Sequence, residues 1–214
     1  MQNARLHAVS VLDHLILGAA DLNHGIARLK KITGIEPAPG GSHPGAGTRN
    51  ALLSLGKRQY LEVMSLDPGQ TEYGRMAALI RNITAPRLIA WAAATDNIHG
   101  VAQRALSAGG KIQGPDKGSR VTPAGGVLKW QIVRIVTDFE DVIPFFIEWD
   151  PAVTHPSEDS PQGCALQDFM IEHPDEGRLR ELLEQLGIDA GVRHGSSPVL
   201  KAMITTPQGK VEIS

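Results

Sequence analysis

The chain has 214 residues, of which 42% are hydrophobic and 21% charged, and its formal net charge is −2. This composition is typical of a globular protein with a sizeable core, and the absence of a Lys/Arg run argues against nucleic-acid or membrane-surface binding. The single cysteine, Cys164, has no partner for an internal disulfide. With no signal-peptide pattern and no bilayer-length apolar run, the sequence favours a soluble cytoplasmic protein.

The first predicted unit is organised around LDHLILGAADL at residues 12–22. Apolar content predicts a strand over residues 11–18, and Asp21 is a good N-cap for the helix that follows, with Gly34 as its stop. The Gly/Pro-rich residues 36–50 favour strand plus loop. Two further runs, 51–55 and 59–66, flank a tight turn at Gly56-Lys57 and predict a hairpin. The unit therefore has the order β-α-β-β-β.

The same order recurs twice more. After a connector helix predicted at 70–84, the motif D-x-x-H-G-[IV]-A of residues 21–27 repeats at 96–102. In the second unit a strand starts at 111–113 after its helix, and residues 127–136 and 142–149 provide the last strands. The polar, Pro-rich residues 151–163 predict a linker. The third unit has a strand at 165–171, a helix at 175–185 and a closing hairpin at 198–214, which predicts three copies of one topology.

His14 and Glu62 are the first candidates for chemistry. His14 shares a strand face with Leu12 and Ile16, and Glu62 lies in the last strand of the same unit. If those strands are neighbours, an imidazole and a carboxylate point into one concavity, which is half of a divalent-metal site. Glu148 is the matching carboxylate of the second unit, so His14, Glu62 and Glu148 are the predicted metal ligands. The alternatives are a His satisfied in the core and glutamates on exposed edge strands.

Two other groups are candidates for substrate binding. The loop HPGAGTRN concentrates four polar side chains among glycines, and its arginine can hold a carboxylate or phosphate through two hydrogen bonds. The same residues can equally tie a long loop to neighbouring carbonyls. Tryptophans of the second unit either fill the core or line an apolar pocket. The predicted substrate-binding residues are His43, Thr48, Arg49, Asn50, Trp91 and Trp130.

Paired β-α-β-β-β units with a His on the first strand and a Glu on the last resemble the vicinal oxygen chelate superfamily, which includes glyoxalase I, extradiol dioxygenases and bleomycin-resistance proteins. More narrowly, LDHLILGAADL, PGGSHPGAGTRNALLSLG and YLEVMSLDP are similar to the glyoxalase-like domain proteins of bacteria. The resemblance covers about residues 10–150, and GTRN and YLE are its most specific matches.

The resemblance implies a divalent metal (Zn, Ni, Mn or Fe) held by His14, Glu62 and Glu148, with Glu62 and Glu148 as the catalytic carboxylates. The family's fourth ligand, a His or Gln on the first strand of the second unit, is replaced by Ile89. Binding-only members of the superfamily, which sequester drugs in an aromatic-lined cleft, lack the metal ligands altogether.

The sequence thus predicts an α+β protein with two paired β-α-β-β-β modules forming one cleft and a third half-module at the C-terminus. The predicted parts are a glyoxalase-like domain at 10–150, a linker at 151–163 and a third unit at 164–214. The first hypothesis for function is a metal-dependent lyase, isomerase or dioxygenase-type enzyme for a small oxygenated metabolite. The second is a metal-free small-molecule binding protein that uses the same cleft, and a homodimer is the candidate assembly for either.

Overall fold

The computed structural model describes residues 11–107, 109–122, 125–139 and 142–214, so residue 10, the predicted start of the first domain, lies outside the described residues. The strands and helices follow in this order: β1 (Val11–Gly18), α1 (Leu22–Thr33), β2 (Ala38–His43), β3 (Thr48–Gly56), β4 (Gln59–Leu66), α2 (Arg75–Ile80), β5 (Arg87–Ala94), α3 (Ile98–Ser107), β6 (Lys111–Val121), β7 (Val127–Val136), β8 (Phe145–Trp149), α4 (Pro156–Asp159), β9 (Ala165–His173), α5 (Glu176–Leu186), β10 (Gly191–His194), β11 (Val199–Thr206) and β12 (Gly209–Ile213).

Local sequence signals placed the first unit correctly. The Asp21 side chain accepts a hydrogen bond from the His24 amide at 2.9 Å, and Gly34 ends α1 in the left-handed conformation with φ of 77°. An Asp at the start of a helix accepts a hydrogen bond from a backbone N–H that has no partner within the helix. A glycine at the end of a helix can adopt the left-handed conformation because it has no Cβ. The hairpin turn is confirmed one residue later than predicted, since Lys57 and Arg58 form it with φ of 48° and 57°.

The first two units form one curled, eight-stranded sheet in the order β2-β3-β4-β1-β5-β8-β7-β6. In the first unit β1 is parallel to β4, and in the second β5 is parallel to β8. The two units meet where β1 and β5 pair in antiparallel fashion. This arrangement confirms the predicted pairing of two equivalent modules and places β1 and β4 side by side.

The third unit has the same element order but a different topology. Its separate four-stranded sheet runs β10-β9-β11-β12, so the first strand lies between the second and the third. In the first unit the corresponding first strand pairs with the fourth. The prediction of three copies of one topology is therefore wrong for the third unit. The cause is physical: element order follows from local sequence, whereas strand pairing is set by long-range contacts.

The third unit completes one hydrophobic core with the other two. Its buried residues Ile171 and Leu200 belong to the same cluster as Leu15 and Leu53 of the large sheet. The ring of Phe169 packs on Trp91 with the ring centroids 4.9 Å apart. The second sheet therefore covers the outer face of the large one, which could not remain exposed to water as an apolar surface.

The segments predicted as a linker and as a long connector helix have specific contacts. In residues 151–163, His155 is the N-cap of α4, and the Pro161 carbonyl accepts a hydrogen bond from the Ser54 amide on β3 at 3.0 Å. Helix α2 is only six residues long. The chain before it is extended because the Gly74 amide donates to the Ala46 carbonyl at 3.0 Å. Within the described residues, no helix has the length and apolarity needed to cross a membrane.

The repeated D-x-x-H-G-[IV]-A motif gives a matched pair of glycines for a stability prediction. A methyl group on Gly25 would lie 2.5 Å from Cγ1 of the buried Val63, whereas at Gly100 it would meet only the flexible side chain of Asn97. We expect Gly25→Ala to destabilise the protein by about 1–3 kcal/mol through overpacking, despite the better helix propensity of alanine. Gly100→Ala should stay within about 1 kcal/mol of wild type. Urea unfolding measures both, and equal effects would contradict the packing described for α1.

Candidate active site

A cleft of about 550 Å³ lies on the concave face of the large sheet, between the first and second units. The first unit lines it with side chains from β1, β3 and β4 and from the loop after β2. The second unit adds aromatic and cationic residues from β6, β7 and β8. The lining includes His14, His43, Thr48, Asn50, Tyr60, Glu62, Asp116, Arg120, Trp130, Arg134, Phe145, Ile147 and Trp149.

Strand alternation brings His14 and Glu62 together. On β4, Glu62 faces the cleft while its neighbours Leu61 and Val63 enter the core. Because β4 pairs with β1 in parallel register, with Ile16 opposite Glu62, the two polar side chains lie on adjacent strands of one face. His14 Nε2 is 3.6 Å from Glu62 Oε2, and both side chains are at most 5% exposed. The predicted juxtaposition of these two residues is present.

Asp13 fixes the orientation of His14. Its Oδ1 lies 2.6 Å from His14 Nδ1, in a pair that is almost completely buried. Burial raises the pKa of Asp13, but hydrogen bonds from His14 and His155 outweigh it and hold that pKa at about 2. An ionised carboxylate can only accept, so His14 Nδ1 donates and Nε2 is directed at Glu62 and the cleft.

The second oxygen of Asp13 connects this pair to the segment 151–163. Asp13 Oδ2 accepts from Trp149 Nε1 at 3.0 Å and lies 3.2 Å from His155 Nε2. His155 Nδ1 in turn lies 2.8 Å from Ser157 Oγ at the start of α4. Tyr60 stacks on the His14 ring with centroids 4.5 Å apart. His14 is therefore held by a carboxylate and packed against an aromatic face.

Glu62 is held by a second set of hydrogen bonds. Asn50 Nδ2 donates to Glu62 Oε1 at 2.6 Å and lies 3.3 Å from His43 Nε2, while His43 Nδ1 is 2.9 Å from Thr48 Oγ1. Burial is the largest effect on His43 and lowers its pKa, helped by Arg120 and His14 and opposed by Glu62 and Asp67. A neutral His43 can accept from Asn50 while donating to Thr48, so these side chains position Glu62.

Glu148 lies elsewhere, which corrects the sequence-based expectation. Its Oε2 accepts a hydrogen bond from the Ile98 amide at 2.7 Å, at the N-terminus of α3. On β8 the cleft-facing residues are Phe145, Ile147 and Trp149, so the alternation of the strand turns Glu148 to the opposite face. Its carboxylate satisfies a free helical N–H there.

The metal site implied by the family resemblance does not fit this arrangement. Of the implied ligands only His14 and Glu62 face each other, since Glu148 caps α3 and Ile89 carries no donor atom. Among the described residues, no group of three or more His, Cys, Asp or Glu side chains is arranged to hold a metal ion. What the cleft holds is an imidazole and a carboxylate 3.6 Å apart, each held by further hydrogen bonds.

The predicted substrate-binding residues separate into two groups. His43, Thr48, Asn50 and Trp130 line the cleft. Arg49 does not, because its neighbours on β3 face the cleft and its own side chain is on the other face, near Asp67. Trp91 is also outside the cleft: it is 1% exposed, and its Nε1 donates to the Val142 carbonyl at 2.7 Å in the core.

Residues that the sequence interpretation overlooked complete the site. Asp13 could have been suspected, because a carboxylate in a buried strand beside a histidine must be paired. Arg120 on β6 is 5% exposed and donates to the Gly40 carbonyl, so it joins β6 to β2 at the rim of the cleft. No local sequence pattern points to Arg120 or to His155 as a site residue, because each contacts a residue that is distant in the chain.

Comparisons with known proteins agree with this architecture. A profile of the glyoxalase-like domain matches residues 12–187, which includes the segment 151–163 and part of the third unit. No curated protein matches the chain.

Solved structures show the same fold. A hypothetical protein from Staphylococcus aureus superposes with a TM-score of 0.70 at 16% identity, over 92% of each chain. A hypothetical protein from Bacillus halodurans has a TM-score of 0.50 at 14% identity, covering 68% of this chain and 98% of that one. The methylmalonyl-CoA epimerase of Mycobacterium tuberculosis has a TM-score of 0.49 at 21% identity, with coverages of 71% and 94%. The S. aureus structure extends the likeness to nearly the whole chain.

Proposed function

The chain belongs to the glyoxalase-like domain family of the vicinal oxygen chelate superfamily, and on this premise we propose that it is an isomerase or lyase that moves a proton on a small oxygenated metabolite. The observation that carries the proposal is the pair of His14 and Glu62, 3.6 Å apart and both facing the cleft. The chemistry is general acid–base catalysis, which needs two groups of this kind within reach of one substrate.

Each member of the pair has a defined role in the proposed reaction. Glu62 removes a proton from the carbon next to a carbonyl group, so its carboxylate becomes a carboxylic acid. His14 gives the proton on Nε2 to the carbonyl oxygen, which becomes the hydroxyl of an enol. Collapse of the enol returns that proton to His14. In an isomerase Glu62 then delivers its own proton to a carbon atom; in a lyase the bond from carbon to a leaving group breaks, the leaving group takes the electron pair, and Glu62 delivers its proton to it. Asp13 accepts from Nδ1 throughout, both while His14 is the imidazolium that donates from Nε2 and after it has become the neutral imidazole, as the carboxylate of a His–Asp pair does.

A divalent metal at His14, Glu62 and Glu148 is not part of this proposal, because Glu148 binds the start of α3. No step of the proposed reaction passes through a metal. The proton transfer needs only the two side chains, with Asn50 and Asp13 to orient them.

The cleft also favours a second candidate function, metal-free binding of an apolar or aromatic molecule. Trp130 and Trp149 line it in edge-to-face contact, with ring centroids 5.3 Å apart, and Tyr60 and Phe145 lie nearby. Aromatic walls with a few polar groups are common in small-molecule sites. A binding protein of this kind would bind its ligand without exchanging any of the ligand's protons.

The decisive experiment is proton NMR in D₂O with chelator-treated protein and a panel of small α-oxo and α-hydroxy carbonyl compounds. We expect exchange of the carbon-bound proton in at least one compound, and a slowing of about a hundredfold or more in His14→Gln. His99→Gln, at an exposed histidine of α3, is the matched control. Exchange that is absent throughout, unchanged in His14→Gln or dependent on added metal would overturn the proposal. Quenching of tryptophan fluorescence without exchange would favour the binding function.

A further inference from the structure

Two arginines lie at the end of the cleft away from Glu62. Arg75, at the start of α2, and Arg134, on β7, line both the cleft and an adjoining cavity of about 40 Å³. Neither belongs to the acid–base machinery described above. The inner end of the cleft thus holds Glu62 with Arg120 near it, whereas this other end holds Arg75 and Arg134.

Arg134 is incompletely satisfied by the protein. Among the described residues it pairs with Asp116, whose Oδ2 is 4.0 Å from Nη1 and whose side chain is 63% exposed. Within the described residues, its Nε is buried and has no hydrogen-bond partner. Burial lowers the pKa of Arg134, the positive charge of Arg75 lowers it further, and Asp116 opposes both. A buried Nε–H without an acceptor is unfavourable unless an acceptor such as a bound anion reaches it.

The strand register gives the distance between the two ends. Arg134 lies opposite Phe145 on β8, and Phe145 lies opposite Ala92 on β5. Ala92 in turn lies opposite His14 on β1. The backbones of Arg134 and His14 are therefore three strand spacings apart, about 14 Å along the sheet. Both side chains extend into the cleft, so the gap between their functional groups is smaller than this. Phe145 lies between them, its ring 5.6 Å from the His14 ring.

We infer that Arg134 and Arg75 form a subsite for a terminal oxyanion of the substrate, a carboxylate or a phosphate, whose other end reaches His14 and Glu62. The inference rests on the proposed function and names its substrate class: a small oxo or hydroxy compound of a few carbon atoms with an anionic terminus. Arg134 offers a planar fork that matches either oxyanion, and Phe145 packs against the short apolar chain between the ends. The sequence offered Arg49 as a candidate for binding an anion; this proposal places the anion at Arg134 in the second unit instead.

Isothermal titration calorimetry tests the subsite without turnover. The probes are glutarate and inorganic phosphate, which separate the two oxyanions, and uncharged glutaramide. We expect at least one anion to bind and glutaramide not to bind. Arg134→Gln should weaken the anion about tenfold or more, and Arg134→Lys, which keeps the charge but loses the fork, should weaken it less. Arg104→Gln, at an arginine on α3 outside the cleft, is the charge-matched control.

The outcomes separate this inference from the proposed function. If His14→Gln abolishes proton exchange but Arg134→Gln and Arg134→Lys bind anions as wild type does, the subsite is refuted and the function stands. If anion binding depends on Arg134 but no compound is exchanged, the subsite stands and the function fails. Absence of anion binding to the wild-type protein, or its loss in Arg49→Gln in place of Arg134→Gln, would also refute the subsite.

Discussion

Asp13→Ala is expected to destabilise the protein by about 3 kcal/mol or more, the largest stability effect among the site residues. Asp13 is 2% exposed and accepts from the indole of Trp149, with an imidazole nitrogen of His14 and one of His155 also in contact. Removing the carboxylate leaves two buried imidazole donors and the partly buried Trp149 indole without this acceptor. Urea unfolding near neutral pH measures the loss, and Asp189→Asn, at an exposed carboxylate, is the control.

Asp13 also makes the stability of the protein depend on pH, with stability falling as the pH is lowered. The pKa of Asp13 falls from 3.8 to about 2 in the folded protein because His14 and His155 outweigh the effect of burial. A lowered folded-state pKa stabilises the protein above pH 3.8, and that stabilisation, about 2 kcal/mol, is lost as the pH falls from about 4 to about 2. Asp13→Asn should be less stable at neutral pH and show a flatter profile in this window. Parallel acid-unfolding profiles for the variant and the wild type would refute the assigned pairing.

Glu62→Gln is expected to produce the largest loss of activity, between about a hundredfold and ten-thousandfold in proton exchange. The amide keeps the size of the side chain and can still contact Asn50, but it cannot take a proton. Thermal unfolding should therefore change little while the exchange rate collapses. Proton NMR in D₂O measures the rate, with circular dichroism to confirm the fold.

Glu148→Gln is the matched control for Glu62→Gln. Its carboxylate accepts from the Ile98 amide at 2.7 Å and does not face the cleft. The variant should keep the wild-type rate of proton exchange and lose up to about 1 kcal/mol of stability. The loss is expected because a neutral amide replaces the negative charge that interacts favourably with the N-terminus of α3. Equal loss of exchange in Glu62→Gln and Glu148→Gln would show that Glu148 enters the cleft and that the described geometry is wrong.

Much of the fold follows from local sequence. Asp21 and Asp175 begin helices, and Gly34 and Gly187 end them, because capping depends on a few neighbouring residues. Strand alternation within β1 and β4 also placed His14 and Glu62 on one face once the two strands were assumed to be neighbours. These features could be predicted because each depends on interactions within one element or one supersecondary unit.

The tertiary structure decided what local sequence does not encode. The third unit has the predicted element order, yet β9 pairs with β10 and β11, since pairing is chosen by the surface against which the sheet packs. Glu148 faces α3 because Phe145, Ile147 and Trp149 take the cleft face of β8, and a shift of one residue would reverse the face of every side chain.

The pair of His14 and Glu62 shows the same division between local and long-range control. The sequence by itself singled out both residues as candidate metal ligands, and it indicated that a Glu in a buried strand needs a partner. Only the folded chain supplies the contacts that give the pair its properties: Asp13 with His155 from residues 151–163, and Asn50 from β3. These contacts join segments up to 142 residues apart in sequence, so they follow from tertiary packing and not from any local pattern.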